Sequence, residues 1–387
     1  MRKKVLFIIG TLQSGGVSKS MVNLLNAFDR QRYDVHLLLL SREGDVFSRY
    51  LPEGVTLHVN QDIEDLHGGF RGVIRLFKRF RLFLAFGSLL RMVLSRFDRA
   101  RAGLLMAQLM PRFTDEEFDL IVDYGGQQQL YYMVDKLKGE KKVTFFHSDY
   151  DKWPYYYKAD KKYYPRTDAI FTVSPTSVES MKKWFPNCSD GIYLMENISV
   201  PHTMKQLAEE VIHLPVHNYF FVTIGHIWKN KGIDFAIEAA EILKREKIDF
   251  LWAFIGKVIE PQWLEIIEEK GLNGYFLFTG ILSNPYPYLK ACDIYVHPSR
   301  FEGKSIALDE AKILCKPIVV TRFSTVNDQF EDRINASIAE MNGADVAEKI
   351  MELIDTPSLR ASYTDYLAAH VTDNSDEVEK LYQFLEN

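Results

Sequence analysis

Eleven short apolar runs, each followed by a stretch long enough for a helix, constrain this chain more than any other feature. They are Val5–Ile9, Val35–Leu40, Leu120–Asp123, Val143–His147, Ala169–Ser174, Gly191–Met195, Phe220–Ile224, Phe250–Ile255, Phe276–Thr279, Ile294–His297 and Ile318–Thr321. Several are apolar nearly throughout, as parallel strands covered on both faces should be. The segments between them carry helical periodicity: Ile233, Ala236, Ile237, Ala240 and Leu243 share one face. Strand–helix alternation with right-handed crossovers predicts an α/β fold, and this many strands in 387 residues predict two sheets in two domains. The boundary is expected within Ser199–Asn218, which holds Pro201 and Pro215 before the same pattern restarts. The expected domains are residues 1–200 and 215–370. An amphipathic segment, 371–387, is expected to pack back on the first domain.

Charge is distributed unevenly. Between Arg71 and Arg112 ten basic residues face a single acid, Asp98, so this tract carries +9 and leaves −14 on the rest of a chain whose total is −5. Such a segregated block implies a partner of opposite charge. With Val73 as origin, Leu76, Phe77, Phe80 and Leu84 share a helical face, while Arg71, Arg75, Lys78, Arg79 and Arg81 spread over the other. A basic amphipathic helix of this kind lies readily on anionic lipid. Nucleic acid is disfavoured, because a base-reading motif is missing. Cys188, Cys292 and Cys315 lie far apart among apolar neighbours and are expected to be reduced thiols. The apolar run after Lys4 is too short for a signal peptide, and no run reaches the roughly 18–20 residues that cross a bilayer.

Three strand–loop–helix elements carry the candidate chemistry. In Arg300–Ala311 a strand exits at Pro298, Gly303 opens the loop, and Ser305 can cap a helix from Ile306 to about Cys315. Glu302 then lies on the loop at the strand's carboxyl end and Glu310 within the helix. Backbone N–H groups at such a helix start suit a diphosphate, and Glu310 can accept from ribose hydroxyls. The same residues also read as a loop acid and a helix-favouring Asp/Glu pair. In Gly225-His226-Ile227-Trp228-Lys229-Asn230-Lys231-Gly232 a glycine ends a strand and Lys231 can reach a phosphate; a solvated surface turn is the alternative. Gly10–Ser18, with Gly15-Gly16 entering a helix, has neither dinucleotide-fold nor P-loop spacing but suits a sugar or anion. His147 ends a strand and points to a cleft. Asp149-Tyr150-Asp151 has the look of a metal-chelating DxD motif, but with a lysine already available to the phosphate no metal site is expected.

In this order and spacing the elements resemble the family-four glycosyltransferases of the GT-B fold. The match covers most of the chain. Its most specific part is Pro298-Ser299-Arg300-Phe301-Glu302-Gly303 followed by Glu310, and the wording of Glu302–Val320 with Gly15–Asn26 resembles the bacterial surface-polysaccharide branch. The resemblance implies two Rossmann-like doubly wound domains facing across a cleft and a nucleotide-diphosphate sugar as co-substrate, with no cofactor. It implies that Glu310 holds the ribose, Glu302 lies near the sugar hydroxyls and Lys231 binds the diphosphate. It also implies that Gly15 and Gly16 sit under the transferred sugar and that His147 contacts it, with Gly225, His226, Gly303, Lys304 and Ser305 completing the donor site. Transfer with retention is implied, with Glu302, His147 and Lys231 in the catalytic set. One departure stands out: the family usually has arginine where this chain has His226, which cannot fork onto a phosphate. The implied acceptor is a lipid-linked sugar, which agrees with the basic tract (residues 70–112) and predicts a cytoplasmic protein peripheral on the inner face of the membrane. A GT-B epimerase or a non-catalytic membrane scaffold are the alternatives.

Overall fold

The computed structural model describes residues 2–13, 15–371 and 373–386; Ser14 of the glycine loop and Thr372 and Asn387 of the final segment lie outside them. The chain divides into two compact units, Met1–Ile198 with Ser375–Asn387, and Ser199–Asn374.

The first unit is built on a parallel sheet of β1 (Lys3–Ile9), β2 (Tyr33–Leu39), β3 (Val55–Val59), β4 (Glu117–Asp123), β5 (Lys138–Phe146), β6 (Ala169–Thr172) and β7 (Ile192–Leu194). Their spatial order is β3-β2-β1-β4-β5-β6-β7, with Val5 opposite both Val35 and Leu120. Val5, Leu6, Phe7 and Ile8 have no solvent exposure, which is why the run is apolar at every position. The order reverses between β1 and β4, so the loops after these two strands open at the sheet's switch point, where α/β sheets bind ligands. The last helix, Glu379–Glu386, belongs to this unit: Tyr382 packs its ring 4.9 Å from Phe28 and receives the Asp29 amide at 2.6 Å.

The second unit repeats the plan with β8 (Tyr219–Ile224), β9 (Phe250–Ile255), β10 (Phe276–Gly280), β11 (Ile294–His297), β12 (Ile318–Thr321) and β13 (Ser337–Ala339), ordered β10-β9-β8-β11-β12-β13. Its switch point falls between β8 and β11. The helix Ile233–Arg245 lays Ile233, Ala236, Ile237, Ala240 and Leu243 on the sheet around Trp252, as its periodicity predicts.

The basic tract folds differently from the expected single amphipathic helix. It forms three helices, Gly69–Lys78, Leu82–Leu94 and Arg99–Leu109. The first stops because Phe80 adopts a left-handed φ of 58°, and Phe80 is solvent-exposed. Val73 and Leu76 are buried in the core, so they cannot be a lipid face. Arg75 and Arg79 instead meet the buried carboxylate of Asp65 at 2.6 and 2.8 Å, and Arg79 and Arg81 meet Asp62 at 2.9 and 3.3 Å. Among the described residues no helix is long and apolar enough to cross a membrane.

Candidate functional site

In the second unit the two switch-point loops are fastened together by backbone. Gly232 has φ +71°, and a Cβ there would stand 1.7 Å from the carbonyl oxygen of Pro298, so glycine is the only residue that lets the loops approach this closely. The Arg300 amide donates to Asn230 O at 2.9 Å, and its guanidinium forks onto Asp234 at 2.7 and 2.6 Å while lying 3.9 Å over the Phe235 ring. Arg300 was not singled out from the sequence; its role is to clasp the loop 225–232 to the strand exit at Pro298.

This clasp brings Lys231 and Glu302 together. Glu302 Oε1 accepts from Lys231 Nζ at 2.5 Å and lies 2.9 Å from His297 Nε2. His297 Nδ1 is in turn 3.1 Å from the buried Tyr295 hydroxyl. Burial would raise the pKa of Glu302, but the Lys231 ammonium and His297 outweigh it and hold the carboxyl well below its ordinary range. Burial keeps His297 below its usual value in spite of Glu302. His297 escaped the sequence reading although, like His147, it closes a strand.

Glu310 lies in the helix Ile306–Ile313, is almost wholly buried, and accepts from the Tyr286 hydroxyl at 3.2 Å. Ser305 occupies the N-cap position, yet its side chain makes no capping hydrogen bond. Lys304 Nζ lies 3.8 Å from Asp309 Oδ2, both side chains being under one-tenth exposed. Gly303 is buried beside them. His226 follows Gly225 and accepts the Lys257 amide at Nδ1, 3.1 Å away. With that nitrogen taken, the imidazole cannot present the two-pronged fork that arginine would.

In the first unit Gly15 and Gly16 are exposed at the start of the helix Gly16–Ala27, and a Cβ on Gly15 would meet nothing within 4 Å. Ser20 of that helix lies 2.6 Å from the Tyr124 hydroxyl and donates to Asn197 at 2.8 Å. His147 Nε2 donates to Tyr124 O at 3.0 Å, and burial pushes its pKa down to about 4, so the imidazole is neutral at physiological pH. One polar network therefore ties the glycine-loop helix to the strand-end histidine. Asp123 anchors the neighbouring loop, accepting from Thr144 Oγ1 at 2.7 Å and from the Gly125 and Gly126 amides. The Asp151 carboxylate of the DxD sequence is engaged by Lys183 at 2.9 Å and Trp184 Nε1 at 2.7 Å.

Comparison with known proteins covers both units. Residues 14–197 match the family described as Glycosyltransferase Family 4, and residues 205–369 match Glycosyl transferases group 1. A Campylobacter jejuni N-acetylgalactosamine-N,N'-diacetylbacillosaminyl-diphospho-undecaprenol 4-alpha-N-acetylgalactosaminyltransferase is 24% identical over 52% of this chain and 54% of its own length. A Staphylococcus aureus capsular polysaccharide biosynthesis glycosyltransferase, CapH, is 27% identical over 42% of this chain and 47% of its own. These matches thus span about half of the curated relatives' length. The crystal structure of Anabaena HepE in complex with UDP and glucose superposes with a TM-score of 0.70 at 15% identity, covering 100% of both chains. A Staphylococcus aureus TarM complex with UDP gives 0.71 at 14%, again over 100% of both.

Proposed function

The chain belongs to the family-four glycosyltransferases of the GT-B fold, and we propose that it moves a sugar, with retention, from a nucleotide-diphosphate sugar to a lipid-linked glycan in bacterial surface-polysaccharide synthesis. The observation that carries this is the Lys231–Glu302 pair, clasped at the β8/β11 switch point beside the helix that starts at Ile306. In the donor complex Lys231 turns from Glu302 to the diphosphate, and the N–H groups after Ser305 take part of the same charge. Glu302, kept ionised and held by His297, is left to accept from the sugar hydroxyls, and Glu310 from the ribose. Retaining hydrolases pair their nucleophile with an acid about 5 Å away. The partners of Glu302 are a lysine and a histidine, which favours a mechanism in which the departing diphosphate oxygen takes the acceptor's proton. No metal enters this scheme: the leaving charge falls to Lys231 and the helix, and Asp151 is already engaged by Lys183.

A lipid-linked acceptor is supported by relatives named for diphospho-undecaprenol substrates in Campylobacter jejuni and Escherichia coli. Such an acceptor places the enzyme on the inner face of an anionic cell membrane, where the cationic tract adds attraction. The test is a thermal-shift and donor-hydrolysis panel of intact UDP- and GDP-sugars. At least one should bind and be turned over, with Glu302→Gln abolishing turnover; binding by none of them would refute the assignment.

A further inference from the structure

The helical hairpin of residues 69–97 leaves an apolar stripe in water. On the helix Leu82–Leu94 and just beyond it, Phe83, Phe86, Leu90, Val93 and Phe97 recur at helical spacing and are 80%, 60%, 53%, 57% and 84% exposed. The opposite face of the same helix, Ala85 and Ser88, is fully buried. The preceding helix adds exposed Phe70 and Ile74, and its Phe77 meets Phe86 edge-on with ring centroids 5.3 Å apart, so the two stripes join. Scattered exposed apolar residues need no explanation, but a contiguous aromatic stripe of this length marks an interaction surface.

Charge decides what covers it. Arg71, Lys78 and Arg96 are exposed around the stripe and have no ion-pair partner among the described residues. A second copy of the chain would press the unpaired Arg71, Lys78 and Arg96 against the same cations of its partner. An anionic lipid surface accepts both the aromatics and the cations. We propose that this hairpin enters the headgroup–acyl boundary of an anionic bilayer through Phe83, Phe86, Leu90, Val93 and Phe97, with Arg71, Lys78 and Arg96 on the phosphates. Arg75, Arg79 and Arg81, which the sequence alone assigns to docking, serve instead to hold the hairpin to Asp62 and Asp65. The inference rests on placing the enzyme at a membrane and names the surface that engages it.

The experiment is flotation of the full chain with vesicles of phosphatidylglycerol and phosphatidylcholine, against phosphatidylcholine alone. The wild type should float with the anionic vesicles. A Phe83→Ser, Phe86→Ser, Leu90→Ser triple variant, altered only at exposed positions and checked by its thermal melt, should lose partitioning by about tenfold or more. Arg71→Glu, Lys78→Glu, Arg96→Glu should lose the preference for anionic lipid. A Phe86→Trp reporter should gain emission that brominated acyl chains quench. Partitioning of the serine variant equal to wild type, or an unquenched reporter, overturns the insertion while leaving membrane placement standing. Failure of the wild type to float overturns both. A wild-type dimer in free solution that the serine variant converts to monomer assigns the stripe to a second copy and also overturns the proposal.

Discussion

Glu302→Gln keeps the shape of the side chain and removes the charge that Oε1 presents to Lys231 at 2.5 Å and His297 at 2.9 Å. The Lys231 and Glu302 side chains are 28% and 12% exposed. The pair therefore falls between a solvated bridge, at about 0–1 kcal/mol, and a fully buried one whose breakage costs about 3–5 kcal/mol. The expected loss of stability is about 1–3 kcal/mol, which lowers the melting temperature of a unit of this size by roughly 2–10 °C. Lys231→Met removes the other charge, and in a double-mutant cycle the two changes should couple by about 1–3 kcal/mol. The folded-state pKa of Glu302 is depressed below its ordinary 4.5, so its stabilisation is complete above that pH and is lost as the pH falls below it. The wild-type melting temperature should accordingly drop more steeply than that of Glu302→Gln below about pH 4.5. Turnover, followed as nucleotide release from the donor that the panel identifies, should fall by about 100-fold or more. A coupling energy under about 0.5 kcal/mol together with unimpaired turnover would refute the reasoning.

Three further outcomes are expected. Gly232→Ala should cost about 2 kcal/mol or more of stability and about 100-fold in turnover, because it drives the loop carrying Lys231 off Pro298; Gly225→Ala, whose Cβ would have Lys231 side-chain atoms as its nearest neighbours at 3.6 Å, is the control for stability alone. Glu310→Gln should raise the KM for the donor several-fold with a smaller change in kcat, measured in the same assay. Burial pushes the pKa of Asp123 up to about 7, so the folded state holds a proton that the unfolded chain releases between about pH 4 and 7. Stability should therefore fall as pH rises through that window, by at most about 4 kcal/mol, and Asp123→Asn should flatten the slope in a series of melts.

The central strands were legible because a strand covered on both faces must be apolar at every position. Val55–Val59 and Ser337–Ala339 went unread: each is an edge strand, the first half-exposed and interrupted by Thr56 and His58, the second only three residues long. The chemistry-bearing loops were legible as positions, but not their bonds. Nothing in the spacing of Lys231 and Glu302 says that they pair, because the contact depends on Gly232 passing under Pro298. The basic tract misled for a related reason. A helical wheel assigns faces only while the helix continues, and this one ends at Lys78, before the left-handed Phe80. Val73 and Leu76 of the face expected to lie in lipid turned inward, while Phe80 and the apolar stripe of the following helix remained outside.

The clasp between loop 225–232 and the exit of β11 also sets a tempo. The Lys231 backbone is pinned between Trp228 O, which its amide reaches at 3.0 Å, and Gly232, held under Pro298. The long Lys231 side chain, by contrast, runs past Gly225 and is held at its tip by Glu302. In the proposed donor complex the exchange from carboxylate to incoming phosphate would be a change of side-chain rotamers rather than a loop opening on the microsecond-to-millisecond scale. If Lys231 takes the diphosphate as proposed, donor capture at this loop would need a turn of one side chain and no opening of the loop itself.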